Sequence, residues 1–292
     1  MVSGGDRIAA IDRIFPKPSV PKQRLDVLLV ELNLCETRQQ AQGLIRAGEV
    51  RVNQQLIDKP GTDVDTAAVI EVRQRSPYVS RGGEKLAKAI AEFGIPVGDR
   101  VCLDGGISTG GFTDCLLQSG AAHVYGVDVG YGQVAWSLRQ DPRVTLLERS
   151  NLRHLQPQAL YGGEALADLG VVDVSFISLT KVLPALRQLL RSPRELVLLV
   201  KPQFEVGRDR IGKKGVVRDA GAQAGAIAQV LQAAQALDWE YQGVTWSPLV
   251  GPAGNVEYLL WLKEGSGNPS PDLAALKHLA QTAQQALLKS AI

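Results

Sequence analysis

A glycine-rich turn flanked by carboxylates is the first place in this sequence where chemistry could be done. It reads Asp104-Gly-Gly-Ile-Ser-Thr-Gly-Gly-Phe112. A P-loop requires lysine after its second spaced glycine, and here Phe112 follows Gly111, so a P-loop is excluded. The dinucleotide pattern G-x-G-x-x-G cannot be threaded through these glycines either. What remains is an acid, Asp104, at the end of one apolar strand, a turn that allows close backbone approach, and a second acid, Asp128, ending the next strand. Acids at that second position bind ribose hydroxyls in nucleotide folds. A zwitterionic ligand with a cationic sulfur suits this arrangement better than a phosphate. The loop alone favours S-adenosylmethionine, with a purely structural turn as the competing reading.

Four further charges each sit in a motif of their own: Lys85 in Ser80-Arg-Gly-Gly-Glu-Lys85, Asp173 in Asp173-Val-Ser-Phe-Ile-Ser-Leu179, Lys201 in Lys201-Pro-Gln-Phe204, and Glu257 in Gly254-Asn-Val-Glu257. Any one of them alone reads as a surface ion-pair charge.

The elements that must position these residues alternate. Strands are expected at Val101–Asp104, Ala122–Val127, Val144–Leu147, Gly170–Val174, Glu195–Val200, Tyr241–Ser247 and Val256–Leu262. Helices are expected at Glu84–Phe93, Gly110–Ser119, Leu179–Leu190 and Ala220–Leu237. Alternating βα units with apolar strands imply an α/β fold with a doubly wound sheet. Its strand C-terminal ends share one edge, the usual ligand crevice, where Asp104, Asp128, Asp173 and Lys201 all fall. Ser270-Pro271 is expected to cap a final helix carrying Leu273, Leu276, Leu287 and Leu288.

From about Arg24 to Leu262 the chain resembles the TlyA (haemolysin A) family of RNA 2′-O-methyltransferases, whose catalytic domain is of the FtsJ type. The strings Gly110-Gly-Phe-Thr-Asp114, Asp173–Leu179 and Lys201-Pro-Gln-Phe-Glu-Val-Gly207 carry the resemblance. It implies a Rossmann-like S-adenosylmethionine methyltransferase sheet and a catalytic Lys-Asp-Lys-Glu tetrad at Lys85, Asp173, Lys201 and Glu257. It implies cofactor contacts from Asp104, Gly105, Gly106, Ser108, Thr109, Gly110, Gly111, Asp128 and Asn151, and ribosomal RNA as substrate with a cytidine ribose as target. Displacement at a sulfonium methyl needs an oriented hydroxyl and removal of its proton. Lys201 is expected to act as the base, with Lys85 depressing its pKa and the two acids fixing the lysines and substrate. The chain departs from the family where Asp104-Gly-Gly-Ile-Ser-Thr replaces Asp-Ile-Gly-Ser-Ser-Thr, and where Ala220-Gly-Ala follows Asp219 in place of Pro and His.

The first eighty residues read as a separate small α+β unit. Leu25, Leu28, Leu29 and Leu32 make one helical stripe. Thr37 with Gln40 forms a capping-box pattern, and Gly48 suits a left-handed helix end. Short strands are expected at Glu49–Asn53, Gln55–Asp58 and Ala68–Arg73, with a turn at Asn53-Gln54. This stretch resembles the small RNA-binding domain of a ribosomal small-subunit protein and of pseudouridine synthases, through Arg24-Leu25-Asp26, Thr37-Arg38, Ala41, Ile45, Gly48, Val50 and Val52-Asn53. The resemblance implies phosphate contacts from Lys22, Arg24, Arg38, Arg46 and Arg51. Arg81 and the basic loop with Arg208, Lys213 and Lys214 are expected to face RNA as well. The expected division is a weakly ordered leader 1–20, an RNA-binding domain 21–75, a linker 76–81, a methyltransferase domain 82–264 and a C-terminal helix in 265–292.

Composition limits the alternatives. The 292 residues carry a formal net charge of only +2, so RNA contacts must come from local patches. Three cysteines without CxxC spacing and three scattered histidines point to a reducing compartment and to no metal site. No apolar run reaches the roughly 18 residues that span a bilayer, which disfavours a membrane-active toxin. A cytoplasmic location, with ribosomal RNA or ribosomal subunits as partner, is expected. A non-catalytic ribosome assembly factor is the competing function.

Overall fold

The computed structural model describes residues 21–72, 76–212 and 214–289. The leader expected over 1–20 and Lys213 lie outside the described residues. The chain forms two compact units, Met1–Arg75 and Ser76–Ile292.

In the first unit, β1 (Lys22–Arg24) leads into α1 (Leu25–Glu31), then α2 (Arg38–Arg46), β2 (Val50–Val52), β3 (Gln55–Leu56), β4 (Asp63–Asp65) and β5 (Ile70–Val72). β2 pairs antiparallel with β3 and with β5, and β1 pairs antiparallel with β4. Leu25, Leu29, Ala41, Ile45 and Val50 are fully buried between the helices and the strands. Leu32, expected on the inner stripe, is 46% exposed. The helix stops at Glu31, Leu32 is its C-cap, and the positive φ of Asn33 then ends the helical path. Thr37 Oγ1 accepts the Gln40 N–H, while Gln40 Oε1 accepts from Glu36 N–H, one residue earlier than a standard box. Asn53 and Gln54 both take positive φ, the backbone of a two-residue hairpin turn, and Asn53 Oδ1 accepts the Val69 N–H.

At the centre of this unit is a buried carboxylate. Asp26 accepts from Arg24 Nε and Nη2, from Arg38 Nε and from Gln42 Nε2, at 2.9–3.0 Å. The Arg24 guanidinium, helped by Gln42 and Arg38, holds this carboxyl well below the usual carboxylate range.

The second unit is built on one seven-stranded sheet of β6 (Val101–Gly105), β7 (His123–Val127), β8 (Val144–Leu147), β9 (Ala167–Val172), β10 (Leu190–Val200), β11 (Trp239–Trp246) and β12 (Tyr258–Glu264). Its order is β11-β12-β10-β9-β6-β7-β8. β8, β7, β6, β9 and β10 are parallel, and β12 is antiparallel to both β10 and β11. Strand order reverses between β6 and β9, which makes their C-terminal ends the switch point of the sheet.

Both faces are covered. Leu196, Leu198 and Val200 face one core and Val197 and Leu199 the other, the period of two that a doubly covered strand requires. One face packs α3 (Gly82–Phe93) and α4 (Gly111–Gln118); the other packs α7 (Leu183–Leu189), α9 (Ala220–Gln235) and α10 (Leu273–Lys289). Shorter helices are α5 (Trp136–Arg139), α6 (Pro157–Tyr161) and α8 (Pro202–Glu205).

Several boundaries differ from the sequence expectation. The helix expected over Leu179–Leu190 is a 3₁₀ turn, Leu179–Lys181, followed by α7 with Pro184 in its first turn, where proline is tolerated. β9 ends at Val172, so Asp173 lies just beyond the strand. β12 starts at Tyr258 and leaves Glu257 in the preceding loop. The last helix is capped by Asp272, whose Oδ1 accepts the Ala275 N–H, while Ser270 Oγ accepts from Gln235 Nε2. Leu276 is buried and Leu273 exposed. Part of the expected linker is docked: the Tyr78 ring packs against Gly83, and Asp114 accepts the Val79 N–H.

Replacing Asp26 by alanine leaves two guanidiniums without their shared acceptor, and both stay half exposed so that water compensates in part. The expected loss is about 2–3 kcal/mol for the N-terminal unit, measured by denaturant unfolding of the full chain. Because the folded pKa is depressed, the stabilisation is fully present above about pH 4. It is lost as pH falls, and the alanine variant should lack that acid-side slope.

Candidate active site

The loop after β6 is held down at several points. Gly106 N–H donates to Val127 O at 2.8 Å, and Ser108 N–H donates to Asp128 Oδ2 at 2.8 Å. Asp128 Oδ1 accepts from Gly130 N–H at 2.6 Å, so this carboxylate organises its own loop and the glycine loop together. Gly106 has φ +91, and a β-carbon there would lie 2.5 Å from the Asp173 carbonyl oxygen. A β-carbon on Gly111 would lie 2.4 Å from Ser80 Oγ and 2.8 Å from Gly83 N. Only glycine permits these approaches.

Two adjoining cavities open over this loop and share Gly106, Ser108 and Asp173. One, about 450 Å³, is lined by Ser80, Arg81, Lys85, Thr109, Gly111 and Phe112 among others. The second, about 330 Å³, is lined by Asp128, Gln133, Asn151, Ser175, Phe176 and Ile177 among others. Both are within the size range of small-molecule sites.

Not every expected cofactor residue faces them. Asp104 is fully buried beneath the loop and lines neither cavity; its Oδ2 accepts from Thr113 Oγ1 at 2.7 Å, and Oδ1 is buried without a hydrogen-bond partner. Burial pushes its carboxyl up to about 7, with Asp173 and Asp128 adding to the rise and Thr113 opposing it. Gly105 packs against Leu152, and Gly110 is the left-handed N-cap of α4 against Leu138. Both shape the turn from outside the cavities. Asn151 lines the second cavity while its Oδ1 caps the turn Leu152–His154 through Arg153 N–H.

The structure brings the four tetrad positions together as two ion pairs. Lys85 Nζ on α3 donates to Glu257 Oε2 at 2.6 Å. Lys201 Nζ, at the end of β10, lies 2.5 Å from Asp173 Oδ1 and donates to Ser175 Oγ at 2.8 Å. Lys201 is 8% exposed and Glu257 1%, so both pairs are shielded from solvent. Lys85 and Asp173 line the same cavity. Each lysine thus has its own carboxylate. Ser175 is a contact to Lys201 that motif reading missed; only its place two residues after Asp173 pointed to it.

Both units match known families. Residues 78–264 match the FtsJ-like methyltransferase family model and residues 23–70 the S4 domain model. A Mycobacterium tuberculosis protein named 16S/23S rRNA (cytidine-2′-O)-methyltransferase TlyA is 51% identical over 244 residues, which cover 83% of this chain and 90% of that one. The chain belongs to the TlyA family. Hemolysin A of Brachyspira hyodysenteriae is 40% identical over 81% of this chain and 98% of that one. A solved chain from Streptococcus thermophilus, which carries a hemolysin designation, is 39% identical with a TM-score of 0.72. The match covers 94% of this chain and 99% of that chain. Among the described residues of this TlyA-family chain, no helix is long and apolar enough to cross a membrane, and no group of three or more His, Cys, Asp or Glu could hold a metal ion.

The RNA-facing candidates fall into distinct settings. Lys22, Arg46 and Arg51 are exposed. Arg24 and Arg38 are tied to Asp26 with side chains 47% and 55% exposed. Arg81 is exposed at the rim of the larger cavity, and Lys214 is exposed. Arg208 and Lys213 have no described side chains.

Two outcomes test this site. Gly106→Ala should reduce S-adenosylmethionine affinity at least ~10-fold by calorimetry, because the β-carbon displaces the Asp173 carbonyl or the loop. Asp104→Asn should flatten the pH dependence of unfolding. A carboxyl whose folded pKa is raised is protonated in the folded chain and ionised in the unfolded one between about pH 4 and 7. Wild-type stability therefore falls as pH rises through that window, and the asparagine variant should not follow it.

Proposed function

We propose that this chain methylates the ribose 2′-hydroxyl of a cytidine in ribosomal RNA, using S-adenosylmethionine as methyl donor. The observation that carries the reading is the pair of shielded lysine–carboxylate contacts beside cavities floored by a glycine cradle, at the switch point of a methyltransferase sheet. The residues present fit the donor. The backbone at Gly106 and Gly111 allows close approach, and Asp128, which lines the second cavity, stands where acids bind ribose hydroxyls in nucleotide folds. S-adenosylmethionine, when bound, supplies an electrophilic methyl on a positively charged sulfur.

The protein's remaining tasks are to orient the hydroxyl and take its proton. In this reading Lys201 Nζ takes the hydroxyl proton as the neutral amine, and Asp173 and Ser175 hold the ammonium that results. Lys85, fixed by Glu257, places a second positive charge beside the cavity that receives the nucleotide. The S4 unit, with Lys22, Arg24, Arg38, Arg46 and Arg51, supplies phosphate contacts that position the RNA without reading its sequence. On the catalytic unit, the exposed Arg81 and Lys214 supply further cations for RNA. The partner is ribosomal RNA within a ribosomal subunit, and the location is the cytoplasm.

The test is transfer of labelled methyl to unmethylated ribosomal subunits, with nucleoside digestion to locate the label. Wild type should place it on ribose 2′-oxygen, and Lys201→Ala should lower turnover about 10³-fold. Full turnover by Lys201→Met would remove Lys201 as base. Tight subunit binding without any label would favour the assembly-factor function.

A further inference from the structure

Glu205 is a buried acid that the reaction scheme above does not use. It ends α8, four residues after Lys201, and is 7% exposed. Its Oε2 accepts from Ser178 Oγ at 2.6 Å and its Oε1 from Leu179 N–H at 2.8 Å. Burial pushes this carboxyl above its ordinary range, and the two donors act the other way.

Three contacts in sequence join the segment after β9 to the segment after β10. Asp173 and Ser175 hold Lys201, Phe176 packs on Phe204 with ring centroids 5.2 Å apart, and Ser178 and Leu179 hold on to Glu205. Phe176 itself is 92% exposed with φ +63. A bulky residue keeps such a backbone only when its neighbours over-determine it. Glu205 is the buried end of that restraint.

We propose that Glu205 is a positioning residue for methyl transfer: by gripping Ser178 and Leu179 it fixes segment 173–179 against 201–205 and so sets how Asp173 and Ser175 present Lys201. This rests on the methyltransferase reading. A displacement of about 1 Å at a reacting group can cost on the order of 10²-fold in rate.

The full chain should be compared with Glu205→Ala, Glu205→Gln and Ser178→Ala for kcat, for KM with ribosomal subunits, for S-adenosylmethionine affinity and for amide exchange at residues 176–180. Glu205→Ala should lower kcat per folded molecule about 30- to 100-fold, change KM for subunits less than about 3-fold, and speed exchange at Leu179. Glu205→Gln keeps an acceptor for the Leu179 N–H and a donor towards Ser178, so it should recover to within about 5-fold of wild type. Ser178→Ala, which keeps the Leu179 bond, should lose about 5-fold. Unchanged kcat in Glu205→Ala, or glutamine as impaired as alanine, overturns the proposal. If Glu205→Ala does not fold, an unchanged kcat in Ser178→Ala overturns it instead. Should wild type transfer no methyl at all, the methyltransferase reading fails. Exchange at 176–180 and cofactor affinity then still decide whether Glu205 fixes the segment, with unchanged exchange in a folded variant counting against it.

Discussion

Where β6 and β9 leave the sheet side by side, the backbone of Gly106 passes so close to the Asp173 carbonyl that no side chain fits between them. The Asp173 N–H also donates to Gly105 O at 2.9 Å, so two loops far apart in sequence are locked backbone to backbone. This contact is possible because strand order reverses here, which sends the following helices to opposite faces and leaves a crevice. The glycine loop, the cavities over it and the direction of the Asp173 carboxylate all follow from that close approach.

The charges around the crevice form two ion pairs. Lys85 comes from α3 and Glu257 from the loop before β12, while Asp173 and Lys201 follow neighbouring parallel strands. Shielded ion pairs are poor stabilisers, because removing two charges from water costs about as much as their attraction returns. Their presence at a cavity is better explained by chemistry than by stability. Pairing each lysine with one acid fixes both amines before substrate arrives, and it leaves Ser175 to complete the orientation of Lys201.

In the S4 unit one carboxylate has a comparable organising role. Asp26 gathers Arg24, Arg38 and Gln42 from β1's end and from α2, so two of the arginines expected to touch RNA also hold the small core together. Their guanidiniums remain about half exposed, which leaves donors free for phosphate. A domain of this size has little apolar core to stabilise it, and a buried charge network that also presents its cations outward meets both needs.

The sequence determined the alternation of strands and helices, the two-unit organisation, the glycine turn and the family to which the motifs belong. These are written in local periodicity and short strings: the strand Val144–Leu147 and the cap at Thr37 needed nothing beyond their neighbours. It did not reveal β1 and β4, whose three-residue strands exist only because they pair with each other across the unit. Nor did it reveal that Leu32 would turn outward, that Asp104 would be sealed under its own loop, or which lysine would face which acid. Those facts depend on contacts between residues dozens to more than a hundred positions apart, such as Lys85 with Glu257 and Glu205 with Leu179. Periodicity names the face on which a side chain lies; only the packed sheet decides what stands opposite.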